Sequence, residues 1–345
     1  MRAEIGEQPA ALRATLEALL PRAAEAAALA RGTRQVMFIA RGTSDNAAVY
    51  GSYLAQVCAG RLATLASPSV ATCYRSRVDL SGVLAVALSQ SGRTEEIVET
   101  LAWAAGCGAR TLAITNDAAS PLAGAAEVAF VTEAGTERAV PATKTFTTQL
   151  AALAVAGLGL AAAGGRDGRL DAGELRAVPD EAERLLSAPM DLAPIVGELA
   201  GVQGVVVSGR GFAYAAALES ALKLKEACYL HAMGLSFADL LHGPIAVVDS
   251  GTPAIIVAAD RGPVLDSAVA LAGRVRDAGA RAYGIGGGAA LARACRYALP
   301  GPELPEWLAP IGLVIGGQLL TEALARRLGI DPDSPRGLSK VTQTT

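Results

Sequence analysis

The chain has 345 residues, a length that fits two domains at roughly 100–200 residues each. Hydrophobic residues make up 52% and charged residues 18%, which is a globular composition and excludes a disordered or collagen-like chain. Because 30 basic residues face 33 acidic ones, the net charge is -3 and the sequence offers no broad basic surface for nucleic acid or an anionic membrane.

The cysteines and the N-terminus favour a cytoplasmic location. The five cysteines form no CxxC pair, so the sequence predicts neither a disulfide framework nor a zinc site. The first 20 residues predict an amphipathic helix with four leucines on one side, and they lack the apolar core of a signal peptide. The most apolar stretch, 150–165, is short for a bilayer and predicts a buried helix. The four leucines are Leu12, Leu16, Leu19 and Leu20.

Short apolar runs followed by helical patterns recur along the chain and predict an α/β fold with parallel strands. The two halves also match, because Arg41-Gly42, Gly92 and 108–110 each have a counterpart about 170 residues later. Although chance explains any one match, the constant spacing favours a duplicated unit. The counterparts are Arg210-Gly211, Gly262 and 279–281. The clearest predicted strands are 36–40, 83–88, 111–115, 205–208, 254–258 and 282–285.

The loops after the predicted strands hold the first candidate site, because ligands of open parallel sheets bind beyond the carboxyl ends of the strands. Neither loop carries a GxGxxG or P-loop motif, which disfavours dinucleotides and ATP. Instead, hydroxyls accompany helix N-termini, where backbone N–H groups can bind a phosphate monoester. Helix capping is the alternative for either loop alone, whereas two such loops favour phosphate. The hydroxyls belong to Thr43, Ser44, Ser89, Ser91 and Thr94.

A second candidate lies in the largely apolar helical segment 214–230. Glu219, Lys223 and Glu226 recur there at the spacing of one helix face. A surface ladder of ion pairs is the structural alternative. The apolar surroundings instead favour a buried charged cluster, in which Glu226 is a candidate base for moving a proton between adjacent carbons of an open-chain sugar.

The histidines and the C-terminal segment supply the remaining candidates. His242 lies in a constrained Gly-Pro turn suited to presenting a side chain, whereas we expect His231, at a helix end, to be structural. The segment 331–340 is too rich in proline for a helix. Its Lys340 can form an imine if it packs into a site, but composition alone predicts a solvated side chain.

Together these segments resemble the isomerase half of the glutamine-dependent glucosamine-6-phosphate synthases and their relatives, the tandem sugar isomerase (SIS) domain family. The resemblance covers nearly the whole chain and implies an α/β fold of two SIS domains, each a parallel sheet flanked by helices in a flavodoxin/Rossmann-like three-layer sandwich. We predict domains at 1–165 and 200–330, a linker and entry helix at 166–199, and a tail at 331–345. The motifs are 4–9, 42–44, 89–92, 142–149, 221–226, 242–244 and 335–340.

The resemblance also implies roles for individual residues. Glu226 resembles the base for proton transfer between C1 and C2, with Lys223 beside it. His242 resembles the ring-opening histidine, which the partner of a homodimer contributes, and Lys340 the lysine that forms an imine with fructose 6-phosphate. No cofactor and no metal are implied. The implied phosphate-binding residues are Ser44, Ser89, Gln90, Ser91, Thr94 and Thr43, and the implied substrate contacts are Val140, Ala142 and Ser339.

Departures from the family pattern shift the expected reaction. The sequence shows no glutaminase domain before its first helix, so we expect that glutamine is not its unaided nitrogen source. Arg93 stands where a glutamate is common, 238–241 replaces Gly-Glu-Leu-Lys, Gly337 replaces an asparagine, and Ser339 replaces a common alanine. The chain looks most like the stand-alone SIS-type glucosamine-6-phosphate deaminases, which produce fructose 6-phosphate and ammonia.

Two other functions remain open. One is an isomerase, a deglycase or an ammonia-dependent aminating enzyme of the synthase type, acting on a related sugar phosphate. The other is a sugar-phosphate sensor, which we expect to lack the set Glu226, His242 and Lys340 or to carry a DNA-binding domain. The expected partner is a small amino-sugar phosphate, with no nucleic acid and no membrane.

Overall fold

The computed structural model describes residues 1–166 and 170–340; residues 341–345 of the predicted tail lie outside this description. Within the described residues, internal contacts divide the chain into two compact units. The N-terminal unit comprises Ala10–Glu137, Lys144–Arg176 and residues 339–340, and the C-terminal unit comprises Met1–Pro9, Arg138–Thr143 and Ala177–Leu338. The domain boundaries drawn from the sequence stay predictions.

In the described part of the N-terminal unit, a parallel sheet is flanked by helices. Its strands are β1 (Gln35–Ile39), β2 (Leu62–Leu65), β3 (Val83–Leu88), β4 (Arg110–Thr115) and β5 (Val128–Val131), in the spatial order β2-β1-β3-β4-β5. The first helix of the chain, α1 (Arg2–Gly6), belongs to the C-terminal unit. The helices that follow it are α2 (Gln8–Leu19), α3 (Ala23–Ala30), α4 (Thr43–Tyr53), α5 (Ser69–Thr72), α6 (Glu95–Gly106), α7 (Pro121–Ala125), α8 (Lys144–Ala163) and α9 (Ala172–Arg176).

The C-terminal unit repeats this architecture. Its strands are β6 (Gly204–Gly209), β7 (His231–Ser236), β8 (Ala254–Ala258), β9 (Ala282–Gly286) and β10 (Tyr297–Leu299), in the spatial order β7-β6-β8-β9-β10. Its further helices are α10 (Val178–Ser187), α11 (Ala193–Leu199), α12 (Ala213–Cys228), α13 (Phe237–Leu241), α14 (Leu265–Asp277), α15 (Gly288–Ala294) and α16 (Ala309–Arg327). Both sheets are parallel throughout their described pairings, which confirms the predicted fold class.

The duplication inferred from the sequence is visible in the strand order. Each sheet has the flavodoxin-like order 2-1-3-4-5, counted within its own unit. The glycines of the matched sequence pairs share a backbone state that L-residues rarely adopt, because all of them have positive φ. The paired φ values are 57° and 62° at Gly42 and Gly211, 61° and 126° at Gly92 and Gly262, and 97° and 79° at Gly108 and Gly279.

The long apolar helix predicted within 150–165 is α8, which begins earlier, at Lys144. By length and composition α8 is able to cross a membrane. However, 83% of the residues in its apolar 18-residue stretch are buried within the protein. Its buried residues include Phe146, Leu150 and Leu153. Such burial is expected of a core helix that packs against its own sheet.

Two local predictions need correction. The N-terminal segment is not one helix, because α1 ends at Gly6 and Leu20 already belongs to a 3-10 turn, Leu20–Arg22, after α2. Leu12, Leu16 and Leu19 are buried as predicted, whereas Leu20 is half-buried. His231 is not at a helix end: α12 stops at Cys228, and His231 is the first residue of the edge strand β7.

Candidate active site

The first candidate site lies in the N-terminal unit, at the carboxyl ends of β1 and β3. These strands are neighbours, and the chain leaves β1 toward β2 but leaves β3 toward β4. The loops therefore diverge, and a crevice at such a switch point is where doubly wound sheets bind ligands. Helix α4 starts at this edge with Thr43 and Ser44, and α6 starts there after Thr94. Two helix N-termini thus present backbone N–H groups and partial positive charge at one crevice.

The N-termini of α4 and α6 leave space for an anion. Among the described residues, neither N-cap residue, Gly42 or Thr94, caps its helix through a side chain. A Cβ atom at Gly42 would have no atom within 4 Å, so the backbone there borders open space. A phosphate can approach N–H groups closely at such a position, because no side chain stands in front of them.

Ser44 is held in place from the adjacent core helix. Its side chain is buried, and its hydroxyl oxygen accepts a hydrogen bond from Nε2 of Gln149 at 3.0 Å. Gln149 belongs to α8 and is itself buried, so its amide is fixed by packing. A hydroxyl that accepts such a bond keeps its own proton to donate, and the proton of Ser44 is therefore free to reach a phosphate oxygen.

The loop after β3 is shaped by two serines. Ser89 Oγ accepts a hydrogen bond from the backbone N–H of Gly92 at 3.2 Å, and Ser91 Oγ accepts one from the backbone N–H of Arg93 at 3.2 Å. Both serines thus orient the loop that they belong to, and each retains a hydroxyl proton. Gln90 is half-buried between them, and its carbonyl oxygen accepts from Asn116 at 3.0 Å, which ties the loop to the end of β4.

Arginines flank the same loops. Arg41 makes two parallel hydrogen bonds to Glu96, at 2.9 and 3.0 Å, and Arg93 bonds Asp117 at 2.8 Å. Both arginine side chains are about half exposed, which leaves them accessible from solvent. Asp45 follows in the first turn of α4, where burial raises the pKa of its carboxyl although Arg41 is close enough to oppose this.

The C-terminal lysine is engaged within the N-terminal unit by a residue that the sequence analysis missed. Lys340 Nζ donates to Oε2 of Glu137 at 2.8 Å. The Glu137 side chain is fully buried, and it also accepts from the hydroxyl of Thr145 at 2.6 Å and from the Thr145 backbone N–H at 3.2 Å. Because a buried carboxylate needs such donors, Glu137 fixes the lysine rather than leaving it solvated.

The charged cluster on α12 lies in the C-terminal unit and is buried. The side chains of Glu219 and Lys223 are 0% and 1% exposed, and Glu226 is 22% exposed. Lys223 Nζ lies 3.3 Å from Glu219 Oε1 and forms a closer ion pair with Glu226. Burial opposes the charge on Lys223, but the carboxylates of Glu219 and Glu226 outweigh it and raise the pKa of the lysine. The ammonium therefore persists, and Glu226 keeps an accessible carboxylate beside it.

The remaining predicted residues lie in less enclosed positions. His242 ends α13 and is exposed, so its assignment rests on the partner-subunit role that the resemblance implies. Val140 and Ala142 are half-buried, and the N–H of Val140 donates to the carbonyl oxygen of Asp333 at 2.9 Å. Ser339 is exposed next to Lys340.

Two site residues, Gln149 and Glu137, were not singled out from the sequence. Gln149 belongs to the motif 142–149, so its membership of that motif was an available signal. Glu137 lies in an irregular segment without periodicity, and its partner Lys340 is 203 residues away. A single sequence holds no signal for that pair.

Known proteins with the same organisation were found by sequence and by structure. The model of the SIS domain matches residues 31–158 and 198–320. The glutamine–fructose-6-phosphate aminotransferase [isomerizing] of Symbiobacterium thermophilum is 36% identical over 99% of this chain, which spans 58% of that relative. This chain thus spans about three-fifths of the curated relatives that it matches.

Solved structures extend the similarity to the whole fold. A candidate phosphosugar isomerase from Silicibacter pomeroyi is 34% identical with a TM-score of 0.86, covering 96% of this chain and 99% of that one. The C-terminal domain of a glucosamine-fructose-6-phosphate aminotransferase from Francisella tularensis is 29% identical with a TM-score of 0.84, covering 96% and 97%. The glucosamine-6-phosphate deaminase of Thermotoga maritima, at 23% identity and a TM-score of 0.76 over 99% of both chains, shares the fold. The chain therefore belongs to the SIS domain family, and it carries two SIS domains.

Proposed function

We propose that the chain is an amino-sugar phosphate deaminase and isomerase, which converts glucosamine 6-phosphate to fructose 6-phosphate and ammonia. The observation that carries the proposal is the buried cluster on α12, where Glu226 pairs with Lys223 and keeps 22% of its side chain exposed. A carboxylate held beside a fixed ammonium is suited to taking a proton from one carbon and returning it to the next.

Each group of residues has its own part in the proposed reaction. The hydroxyls and helix N-termini after β1 and β3 bind the phosphate, and His242 opens the sugar ring. Glu226 then removes the proton from C2 of the open-chain amino aldehyde and returns it to C1, while a second proton passes from the nitrogen at C2 to the oxygen at C1. The C1 aldehyde thereby becomes an alcohol and C2 becomes an imine. The amine of Lys340 attacks C2 and ammonia leaves, after which water hydrolyses the lysine imine to the ketone of fructose 6-phosphate.

Relatives support the substrate class. The curated relatives are named for glutamine and fructose 6-phosphate, and they are 31% to 36% identical over 99% of this chain. A phosphosugar isomerase that acts on a sugar without an amine is the second candidate, and the Silicibacter pomeroyi protein favours it, because the two chains cover each other almost completely. The same proton transfer between C1 and C2 serves both reactions, and the release of ammonia separates them.

The test is to incubate the purified chain with glucosamine 6-phosphate and to measure fructose 6-phosphate and ammonia together. We expect equal amounts of both products, and Glu226→Gln should lower kcat by about 100-fold or more, since general bases contribute on that scale. Lys225→Gln is the matched control, because Lys225 is exposed on the same helix, and it should keep the wild-type rate.

Three outcomes decide between the candidates. Bound substrate without either product would overturn the deaminase. Interconversion of aldose and ketose phosphates without ammonia would favour the second candidate instead. Full activity in Glu226→Gln would remove Glu226 from the role of base, whatever the substrate.

A further inference from the structure

The end of α12 has a strained backbone at an aromatic residue. The helix stops at Cys228, and Tyr229 follows with φ 56° and ψ 26°, the left-handed conformation that usually favours glycine at this position. The Tyr229 N–H donates to the carbonyl oxygen of Leu224 and closes the helix. Glycine makes the same closure without the strain, so the capping role does not explain why a tyrosine stands here. A non-glycine residue is held in this region where the surrounding structure gives it a second role.

Tyr229 makes two contacts with Arg336 of the C-terminal segment. Its hydroxyl oxygen accepts a hydrogen bond from the backbone N–H of Arg336 at 2.8 Å. The guanidinium carbon of the same arginine lies 4.4 Å from the centroid of the Tyr229 ring, within cation–π distance. One contact fixes the backbone of Arg336 and the other fixes its side chain, so the residue is restrained in both position and orientation.

The C-terminal segment is anchored just before this contact and turns just after it. The carbonyl oxygen of Asp333 accepts from Val140, and the Asp333 carboxylate pairs with the amino group of Met1. Gly337, with φ 76°, redirects the chain directly after Arg336. Lys340 follows four residues after Arg336, a span of at most about 14 Å for an extended chain. The position of Arg336 therefore limits where the Lys340 amine can reach.

We infer that Tyr229 and Arg336 form a clamp that positions Lys340 for imine formation. Tyr229 lies three residues after Glu226 on the same chain segment, so the clamp ties the end of the base-bearing helix to the segment that carries the lysine. Neither clamp residue touches a reacting atom in this role; both act through the tail. This inference rests on the proposed function, because that function gives Lys340 its imine.

The test uses the full chain and variants that separate the parts of the clamp. Tyr229→Gly removes the ring and also the backbone strain, and Tyr229→Phe removes only the hydroxyl. Arg336→Ala removes the arginine side chain beyond Cβ and keeps the backbone N–H that donates to Tyr229. Arg296→Ala is the matched control, because Arg296 lies over Tyr297, 5.5 Å from the ring centroid, in a similar pair that involves no tail residue. Each variant is assayed for kcat, for KM and for borohydride trapping of fructose 6-phosphate on Lys340.

We expect Tyr229→Gly and Arg336→Ala to lower kcat and trapping together by about tenfold, with KM changed less than about threefold, because only the reacting amine is misplaced. Tyr229→Phe should lose less, since its ring still faces Arg336. The control should match the wild type. Thermal unfolding is measured beside the kinetics, and Tyr229→Gly should keep the wild-type melting temperature, which separates misplacement from misfolding. Wild-type kcat and trapping in both Tyr229→Gly and Arg336→Ala would overturn the inference.

A structural readout keeps the clamp separate from the proposed function. Hydrogen exchange of the Arg336 amide should be about tenfold faster in Tyr229→Phe than in the wild type, because the variant lacks the acceptor of that N–H. An unchanged exchange rate would overturn the clamp even if the enzyme is active. A wild-type chain that forms no product and traps no sugar would instead refute the proposed function, while the exchange measurement still decides the clamp.

Discussion

The two sheets share one strand order, but their switch points have opposite chemistry. In the N-terminal unit the crevice between the loops after β1 and β3 is bordered by serine hydroxyls, and a Cβ at Gly42 would meet no atom within 4 Å. The counterparts of Gly42 and Gly92 in the C-terminal unit both face one carboxylate, whereas Gly92 itself faces the hydroxyls of Ser120 and Thr115. A Cβ at Gly262 would lie 2.6 Å from Cδ of Glu306, and one at Gly211 would lie 3.5 Å from its Oε1.

The second switch point holds acidic side chains, which disfavour a phosphate. The Glu306 carboxyl lies beside Gly211 and Gly262, and Asp260 accepts a hydrogen bond from the N–H of Gly288 at 3.0 Å. Carboxylates repel a phosphate, whereas serine hydroxyls can donate to one. Duplication therefore preserved the sheet, and the loops determine which copy is suited to an anion.

We expect the largest loss of activity when a carboxylate is placed at the switch point of the N-terminal unit, as is found at that of the C-terminal unit. Ser91→Asp keeps an acceptor for the Arg93 N–H but places a carboxylate in the crevice. Because facing like charges costs several kcal/mol, we expect kcat/KM for glucosamine 6-phosphate to fall by about 100-fold or more. Ser91→Asn is the neutral control of the same shape and should lose less than about tenfold. Equal losses in the two variants would show that charge is not the cause.

The buried carboxylate of the N-terminal unit should respond strongly to neutralisation. Glu137→Gln leaves the Lys340 ammonium facing an amide that also carries donors, so the variant should lose about 1–3 kcal/mol of stability. Turnover should fall with it, because Lys340 loses its partner. Glu25→Gln breaks the exposed pair with Arg22 and should cost less than about 1 kcal/mol. Thermal unfolding of both variants measures the difference, and equal losses would contradict a special role for burial.

The sequence predicted the inner strands of the two sheets but not their edge strands. The six predicted strands correspond to β1, β3, β4, β6, β8 and β9, which are the inner strands of the two sheets. Inner parallel strands are covered on both faces and form continuous apolar runs, as β3 and β8 do. The edge strands β2, β5, β7 and β10 are partly exposed. Strands β5 (VAFV) and β10 (YAL) are apolar but only four and three residues long, and polar or small residues interrupt β2 and β7. Their residues therefore give a weaker strand signal than the long inner runs.

For the candidate site, contacts between residues close in sequence could be predicted, and contacts between distant residues could not. The cluster of Glu219, Lys223 and Glu226 could be predicted from the sequence, because the spacing of its members places them on one helix face. The contacts of the C-terminal segment with distant residues could not be predicted. Lys340 meets Glu137 across 203 residues, and Arg336 meets Tyr229 across 107. The expectation for Lys340 came from the family resemblance, since composition alone favoured a solvated lysine.

Matched glycine substitutions should separate stability from binding. Gly42→Ala and Gly211→Ala each force an L-residue to positive φ, so each should cost about 1–2 kcal/mol of stability. Only the methyl group at position 42 points into open space at the crevice, and there it should raise KM by about tenfold, or 1.4 kcal/mol. Gly211→Ala should leave KM at the wild-type value. A similar rise of KM in both variants would mean that the two switch points are not functionally different.

The smallest effect should be a gain in stability at the second switch point. Because burial raises the pKa of Glu306 in the folded chain, the stability that this group contributes is present at low pH and is lost as the pH rises through the raised pKa. Glu306→Gln removes this loss, so its melting temperature should exceed that of the wild type by about 2 °C at pH 7 and match it near pH 4. Glu17→Gln, at an exposed position, is the control and should show no difference at either pH. If Glu306→Gln also keeps the wild-type kcat/KM, the carboxylate fills the second crevice without serving the reaction, and the contrast with Ser91 holds in function as well as in structure.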